Sequence, residues 1–298
     1  MGKASRIRQQ SVREKIAAQR AAARRAEIRN RVLIAGGSVV VVLAIVLALV
    51  LVKVLNKPSS RGSGSIIPVT GVALPAAVTS NVSSVPPTTL DTVGTGSLSG
   101  GLPLSKLSGQ PPLTSGGKPE MLYIGAEFCP LCAATRWSMA VALSRFGTLS
   151  PLHGIYSTSN DIDPHTATLT FYKSSYSSNY LVFTPVENET VNRTLLQNTT
   201  AAQQALWQKY GSSSSGLGYP FIDIGNKYVI TGSLFDPAVL KGLSWSQIAA
   251  ALHNPSSPVA QAVNGAANVI TAAICKTANG QPGSVCTSSA VTKASAAL

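Results

Sequence analysis

The chain has 298 residues, of which only 12% are charged and 6% aromatic, figures too low for one ordinary soluble globule filling the whole length. They point instead to a membrane segment and polar linkers beside a folded domain. The formal net charge of +13 argues less for nucleic acid than it first suggests, because ten of the 24 basic residues lie between Lys3 and Arg31, opposed only by Glu14 and Glu27.

Residues 1–31, rich in Ala and Arg, have good helix propensity but no apolar residues for a core and no aromatic rings for base contacts. They read as a solvated basic arm that anionic lipids would hold, with no nucleic-acid role. From Val32 to Val52 the chain carries no charge, long enough for a helix to cross a bilayer. Arg31 flanks one end, and Lys53 and Lys57 the other. The weight of positive charge puts the N-terminus in the cytoplasm and the rest outside, in a cell membrane crossed once. A cleaved signal peptide is the rival reading. It is disfavoured by the length of the run and by the lack of a small-residue cleavage site close after it.

Residues 58–118 are rich in Ser, Gly, Pro and Thr, and read as a linker followed by an extended segment. Met121–Gly125 is a short apolar run suited to a buried strand. Pro130–Phe146 places Leu131, Trp137, Val141 and Phe146 at helical spacings, with Pro130 in the first turn. Leu152–Thr158 is a second strand candidate, followed by two further apolar runs. Leu195–Tyr210 reads as a helix ended by Gly211. Gly218–Gly232 is a hairpin turning at Gly225-Asn226. A helix capped by Ser244 and another over Val259–Ile274 follow, the latter apolar enough to raise a membrane-helix alternative to docking on the domain. The tail after Cys286 is small and polar and is expected to be disordered.

This order is that of an α/β thioredoxin-like fold, a central mixed sheet flanked by helices, preceded by a single transmembrane helix. The expected segments are a basic arm (1–31), a transmembrane helix (32–55), a linker and extended segment (56–117), the folded domain (118–290) and a tail (291–298).

The four cysteines form two close pairs. Cys129-Pro130-Leu131-Cys132 follows a strand and opens a helix, where the helix dipole and free backbone N–H groups favour thiolate. Cys129 is expected to be exposed and to attack or be attacked by a substrate thiol. Cys132, shielded one turn in, resolves the mixed disulfide. Arg136 adds positive potential. Tyr219-Pro220, directly before the hairpin strand, is expected to face the dithiol with Pro220 cis, leaving the preceding backbone free to pair with substrate. Pro130, Leu131 and Tyr219 complete the substrate surface. Zinc binding is the competing reading of CxxC. It would need a second such pair or paired histidines, whereas His153, His165 and His253 are scattered, so neither metal nor cofactor is expected. A purely structural disulfide is the other reading. Cys275 and Cys286 bracket a Gly/Pro/Asn loop and are read as a structural staple, with a second redox pair as the alternative.

GAEFCPLCAATRW (125–137) and ALSRFGTLS (142–150), with YPFIDIGNKY (219–228) and ANVITAAIC…VC (267–286), resemble an uncharacterised prokaryotic family of membrane-anchored thioredoxin-like proteins, a domain of unknown function. The resemblance implies the fold, the anchor and a CxxC centre. The family's acidic residue before RW appears here as Thr135. More distantly the chain resembles thioredoxin and the DsbA-type oxidases, although Tyr123 stands where many thioredoxins bury an acid. Together these readings predict an extracytoplasmic thiol–disulfide oxidoreductase acting on the thiols or disulfides of exported proteins and coupled to a membrane redox partner. The alternative is a non-catalytic adaptor module of a membrane assembly.

Overall fold

In the computed structural model, which describes residues 71–98, 102–214 and 216–298, a short edge strand β1 (Val72–Ala73) leads into two helices, α1 (Ala76–Ser83) and α2 (Pro87–Val93). The basic arm and the expected membrane span lie outside the described residues. The described part of the expected extended segment is helical over α1 and α2 and docked on the domain. Val78, Val82 and Leu90 are buried in the main core, and β2 (Leu104–Lys106) adds to the edge of the sheet. Composition concealed this because both helices are short and Ser/Thr-rich, so their stability comes from docking rather than from propensity.

The hairpin strand β3 (Thr114–Ser115) turns into β4 (Lys118–Ala126), the strand on which the rest is built. Its apolar residues alternate between two buried faces. Met121 and Tyr123 point into the main core; Leu122 and Ile124 point into a smaller one with Val186, Trp207 and Phe221. The chain then enters α3 (Pro130–Ser144), nearly all of which is buried.

Between α3 and the next strand of the main sheet lies an excursion of four strands. β5 (Gly147–Ser150) pairs with β8 (Ser175–Ser178), and β6 (His153–Tyr156) pairs with β7 (Ala167–Thr170) and with β1, all antiparallel. The strand candidate at 152–158 therefore belongs to a satellite sheet. The parallel partner of β4 is β9 (Val182–Glu189). Gly154 shows why β6 is held away. A Cβ there would meet Trp245 Cε2 at 2.8 Å, and the Trp245 indole N–H donates to Thr168 O at 2.8 Å.

Helix α4 (Ala201–Tyr210) starts later than the expected Leu195. Thr200 and Gln203 form a reciprocal capping box, with Gln203 N–H donating to Thr200 Oγ1 at 3.2 Å and Thr200 N–H to Gln203 Oε1 at 2.8 Å. A small pair, β10 (Ser212–Ser213) and β11 (Gly216–Leu217), precedes the hairpin β12 (Phe221–Ile224) and β13 (Tyr228–Thr231). The main sheet runs β2-β13-β12-β4, with β9 parallel on the other side of β4. The result is a mixed α/β architecture with helices against a mixed sheet.

Helix α5 (Trp245–Ala251) precedes α6 (Pro258–Thr277), which packs against α3. By length and composition α6 could cross a membrane, yet 89% of its most apolar window is buried within the protein. Its asparagines have partners there, as Asn264 Nδ2 donates to Leu252 O at 2.8 Å and Asn268 Nδ2 to Gly94 O at 2.7 Å. The chain closes with α7 (Gly283–Cys286) and α8 (Ser289–Ala294). The tail after Cys286, expected to be disordered, is thus ordered, because Val291 and Ala294 complete the core beside α6.

Cys275 and Cys286 are joined by a disulfide across a sequence separation of 11. Closing a loop of that length stabilises by about 3 kcal/mol on chain-entropy arithmetic. The Cys275→Ala/Cys286→Ala variant is expected to lose that much in urea unfolding, and an unchanged midpoint would refute the estimate.

Candidate dithiol site

Gly125 and Ala126 end β4 at a register shift against β9. Only glycine fits at 125, since a Cβ would fall 2.0 Å from the Tyr123 hydroxyl. The shift re-aims the chain so that Glu127 N–H pairs with Glu189 O at 2.8 Å and Cys129 lands as the N-cap of α3, with Pro130 at the first helical position.

Cys129 and Cys132 are both unbridged. The Cys132 backbone N–H donates to Cys129 Sγ at 3.3 Å. The Cys132 thiol, the same backbone N–H and the Arg136 guanidinium hold the Cys129 pKa below the ordinary thiol value, against the effect of burial. Cys132 is pushed well above it, by burial first and then by its role as donor to Cys129. The two sulfurs are thus inequivalent, one poised as thiolate and one as thiol.

Cys129 is 6% exposed, where an exposed sulfur was expected. Phe128, Leu131 and Tyr219 pack around it. Cys129 Sγ lies 3.8 Å from Tyr219 O, so the sequence pair Tyr219-Pro220 faces the dithiol, and its peptide bond is cis. Pro220 is buried. Tyr219 is half-buried between the Phe128 and Trp207 rings, and its hydroxyl donates to Asn188 Oδ1 and to Glu189.

Sequence reasoning missed the charged layer under the motif. Arg136 is fully buried and forked onto Glu187, with Nε to Oε1 at 2.8 Å and Nη2 to Oε2 at 2.6 Å. Nη2 also donates to Ala126 O at 2.9 Å. Thr135 donates to Leu131 O at 2.8 Å. Glu127, two residues before Cys129, is 2% exposed and accepts from the Thr170 hydroxyl at 2.8 Å. An acid directly after the uncharged run of residues 121–126 was the one available signal.

Burial first, and the Glu187 carboxylate second, push the Glu127 carboxyl from 4.5 to about 7. Burial also pushes Asp223 up to about 6; its Oδ2 is buried without a partner. Both acids hold their protons more tightly in the folded state than in the unfolded chain. Their contribution to stability is therefore largest in acid and falls as pH rises from about 4 towards about 7. At 1.36 kcal/mol per unit, Glu127 accounts for about 3 kcal/mol of that fall. Glu127→Gln keeps an acceptor for Thr170 and is expected to flatten the profile by this amount. Urea melts between pH 4 and 8 test it, and parallel profiles would refute it.

Beside Phe128 opens a cavity of about 400 Å³ between residues 155–165 and 190–194, with Glu127 in its wall. Among the described residues, no three His, Cys, Asp or Glu side chains lie together as a metal site. Over residues 104–276 the chain matches the family described as Domain of unknown function (DUF929). No curated protein and no solved structure matches it.

Proposed function

We propose, for a chain that belongs to the DUF929 family, a thiol–disulfide oxidoreductase that works through Cys129 and Cys132. The observation that carries this reading is the inequivalence of the two sulfurs at the N-terminus of α3. In the reducing direction, the Cys129 thiolate attacks one sulfur of a substrate disulfide and expels the other as thiolate. Cys132 then loses its proton and attacks Cys129 Sγ. This releases the second substrate thiolate and leaves a Cys129–Cys132 disulfide, so two electrons pass to the substrate. The oxidising direction is the reverse, and a membrane redox partner restores the pair.

We read the architecture as thioredoxin-like. The β4-α3 unit with parallel β9, and the β12-β13 hairpin carrying Tyr219-Pro220 to the dithiol, support this. We place the body outside a membrane spanned by residues 32–55, with the arm held at anionic lipids on the cytoplasmic face. The Cys275–Cys286 disulfide suits an oxidising compartment, and exported proteins are then the substrates.

The low exposure of Cys129 favours a second reading, an adaptor module of a membrane assembly in which the dithiol is inert. Titration of the full-length chain against glutathione buffers, with alkylation and mass spectrometry of Cys129 and Cys132, separates the two. A reversible two-electron transition between roughly −270 and −120 mV is expected. A pair that never exchanges refutes the enzyme and leaves the adaptor.

A further inference from the structure

Two loops flank the dithiol and do nothing in the exchange chemistry. One joins β6 to β7, and the other follows β9. They enclose the cavity of about 400 Å³, a volume within the usual range of ligand sites. Its lining is mostly neutral and hydrogen-bonding (Ser157, Asn160, Thr190 and Asn192), with Glu127 its single carboxyl. Arg193 and Asp161 join the two loops by an ion pair of 3.3 Å and cancel each other's charge.

The same loops carry Ile162 and Leu195, 78% and 63% exposed, the exposed large hydrophobic residues among those described. Both stand next to members of the pair or the lining, Ile162 after Asp161 and Leu195 after Thr194. The loops around the cavity also touch the residue that precedes the dithiol. Thr158 N–H donates to Phe128 O at 3.0 Å, and the Arg193 guanidinium lies 3.7 Å over the Phe128 ring, one residue before Cys129.

We infer that this cleft binds the polypeptide stretch flanking the substrate's cysteine, and that it selects an extended segment free of acidic side chains and carrying an apolar one. The neutral lining matches backbone amides and short polar side chains, whose hydrogen bonds it can replace. An acidic side chain would lose its hydration there beside Glu127, the lining's own carboxyl. Ile162 and Leu195 supply the apolar contact that an exposed pair of such residues lacks in the free protein. The inference rests on the oxidoreductase reading for its occupant, but binding can be measured without any redox step.

The test uses the full-length chain and a fluorescein-labelled, cysteine-free hexapeptide of Ala, Ser and Leu. Its counterpart has Leu replaced by Glu. Fluorescence anisotropy is expected to give saturable binding of the apolar peptide and at least tenfold weaker binding of the charged one. Ile162→Asp/Leu195→Asp, both exposed and so compatible with folding, is expected to weaken the apolar peptide at least tenfold. Glutathione exchange at Cys129 stays unchanged in that variant. Equal affinity for the two peptides, no saturation, or no loss in the variant overturns the inference. Failure of glutathione exchange with peptide binding intact strikes the oxidoreductase reading alone.

Discussion

Cys129→Ser abolishes exchange with glutathione and with protein disulfides, a loss of at least about 10³-fold to the uncatalysed rate, because a serine hydroxyl is not ionised at neutral pH and cannot leave from a mixed disulfide. Cys132→Ser gives a different result. The Cys129 nucleophile remains, but nothing resolves its mixed disulfide, so the variant accumulates covalently trapped partner visible on non-reducing gels. The asymmetry follows from the site, where Cys132 is wholly buried and cannot reach a substrate itself. Trapping by Cys129→Ser with none by Cys132→Ser would reverse the assigned roles. Equal loss with trapping by neither would remove the exchange mechanism. Cys132→Ala is also expected to raise the Cys129 pKa, since the thiol that donates to it is removed. Iodoacetamide alkylation rates across pH measure that shift.

Arg136→Gln costs about 3–5 kcal/mol of stability, because it leaves the Glu187 carboxylate buried without its counter-ion and Ala126 O without its donor. For a body of this size that lowers the melting temperature by about 10 °C. Glu187→Gln costs a similar amount. Arg136→Met/Glu187→Leu removes both charges together and is expected to recover most of the loss, since an apolar pair needs no desolvation of ions. Differential scanning calorimetry of the three variants decides it. Single losses below about 1 kcal/mol would mean that the pair is solvated.

The CxxC motif and the Tyr219-Pro220 pair were legible because both signals are local: a proline one residue into a helix and a proline before a hairpin strand. The hairpin itself was legible from Gly225-Asn226. Arg136 was seen but its meaning was not. Its partner Glu187 lies 51 residues on, brought to it by the parallel pairing of β4 with β9, which no local pattern encodes. The four-strand excursion hid that pairing, because β6 carries as good a strand pattern as β9 and differs only in where Trp245 anchors it. Helices α1 and α2 were read as an extended segment for a related reason. Val78, Val82 and Leu90 are too few to mark an amphipathic face, and become meaningful only against α3, α5 and α6. The burial of Cys129 depends on Tyr219, 90 residues away, and was equally out of reach.

The meeting of α2 with α8 bears on how the protein is made. Asp91 Oδ1 accepts the Ala290 N–H at 2.8 Å across 199 residues, and Asn268 donates to the Leu90 and Gly94 carbonyls across more than 170. A chain emerging from the ribosome therefore has its α2 seat empty until residue 290 has left the exit tunnel. Loops this long form slowly. At elongation rates of about 5–20 residues per second, Leu90 and Val93 wait about 10–40 s for their cover. That interval is when a holdase would have the apolar face of α2 to bind, and when the protein is most open to proteolysis.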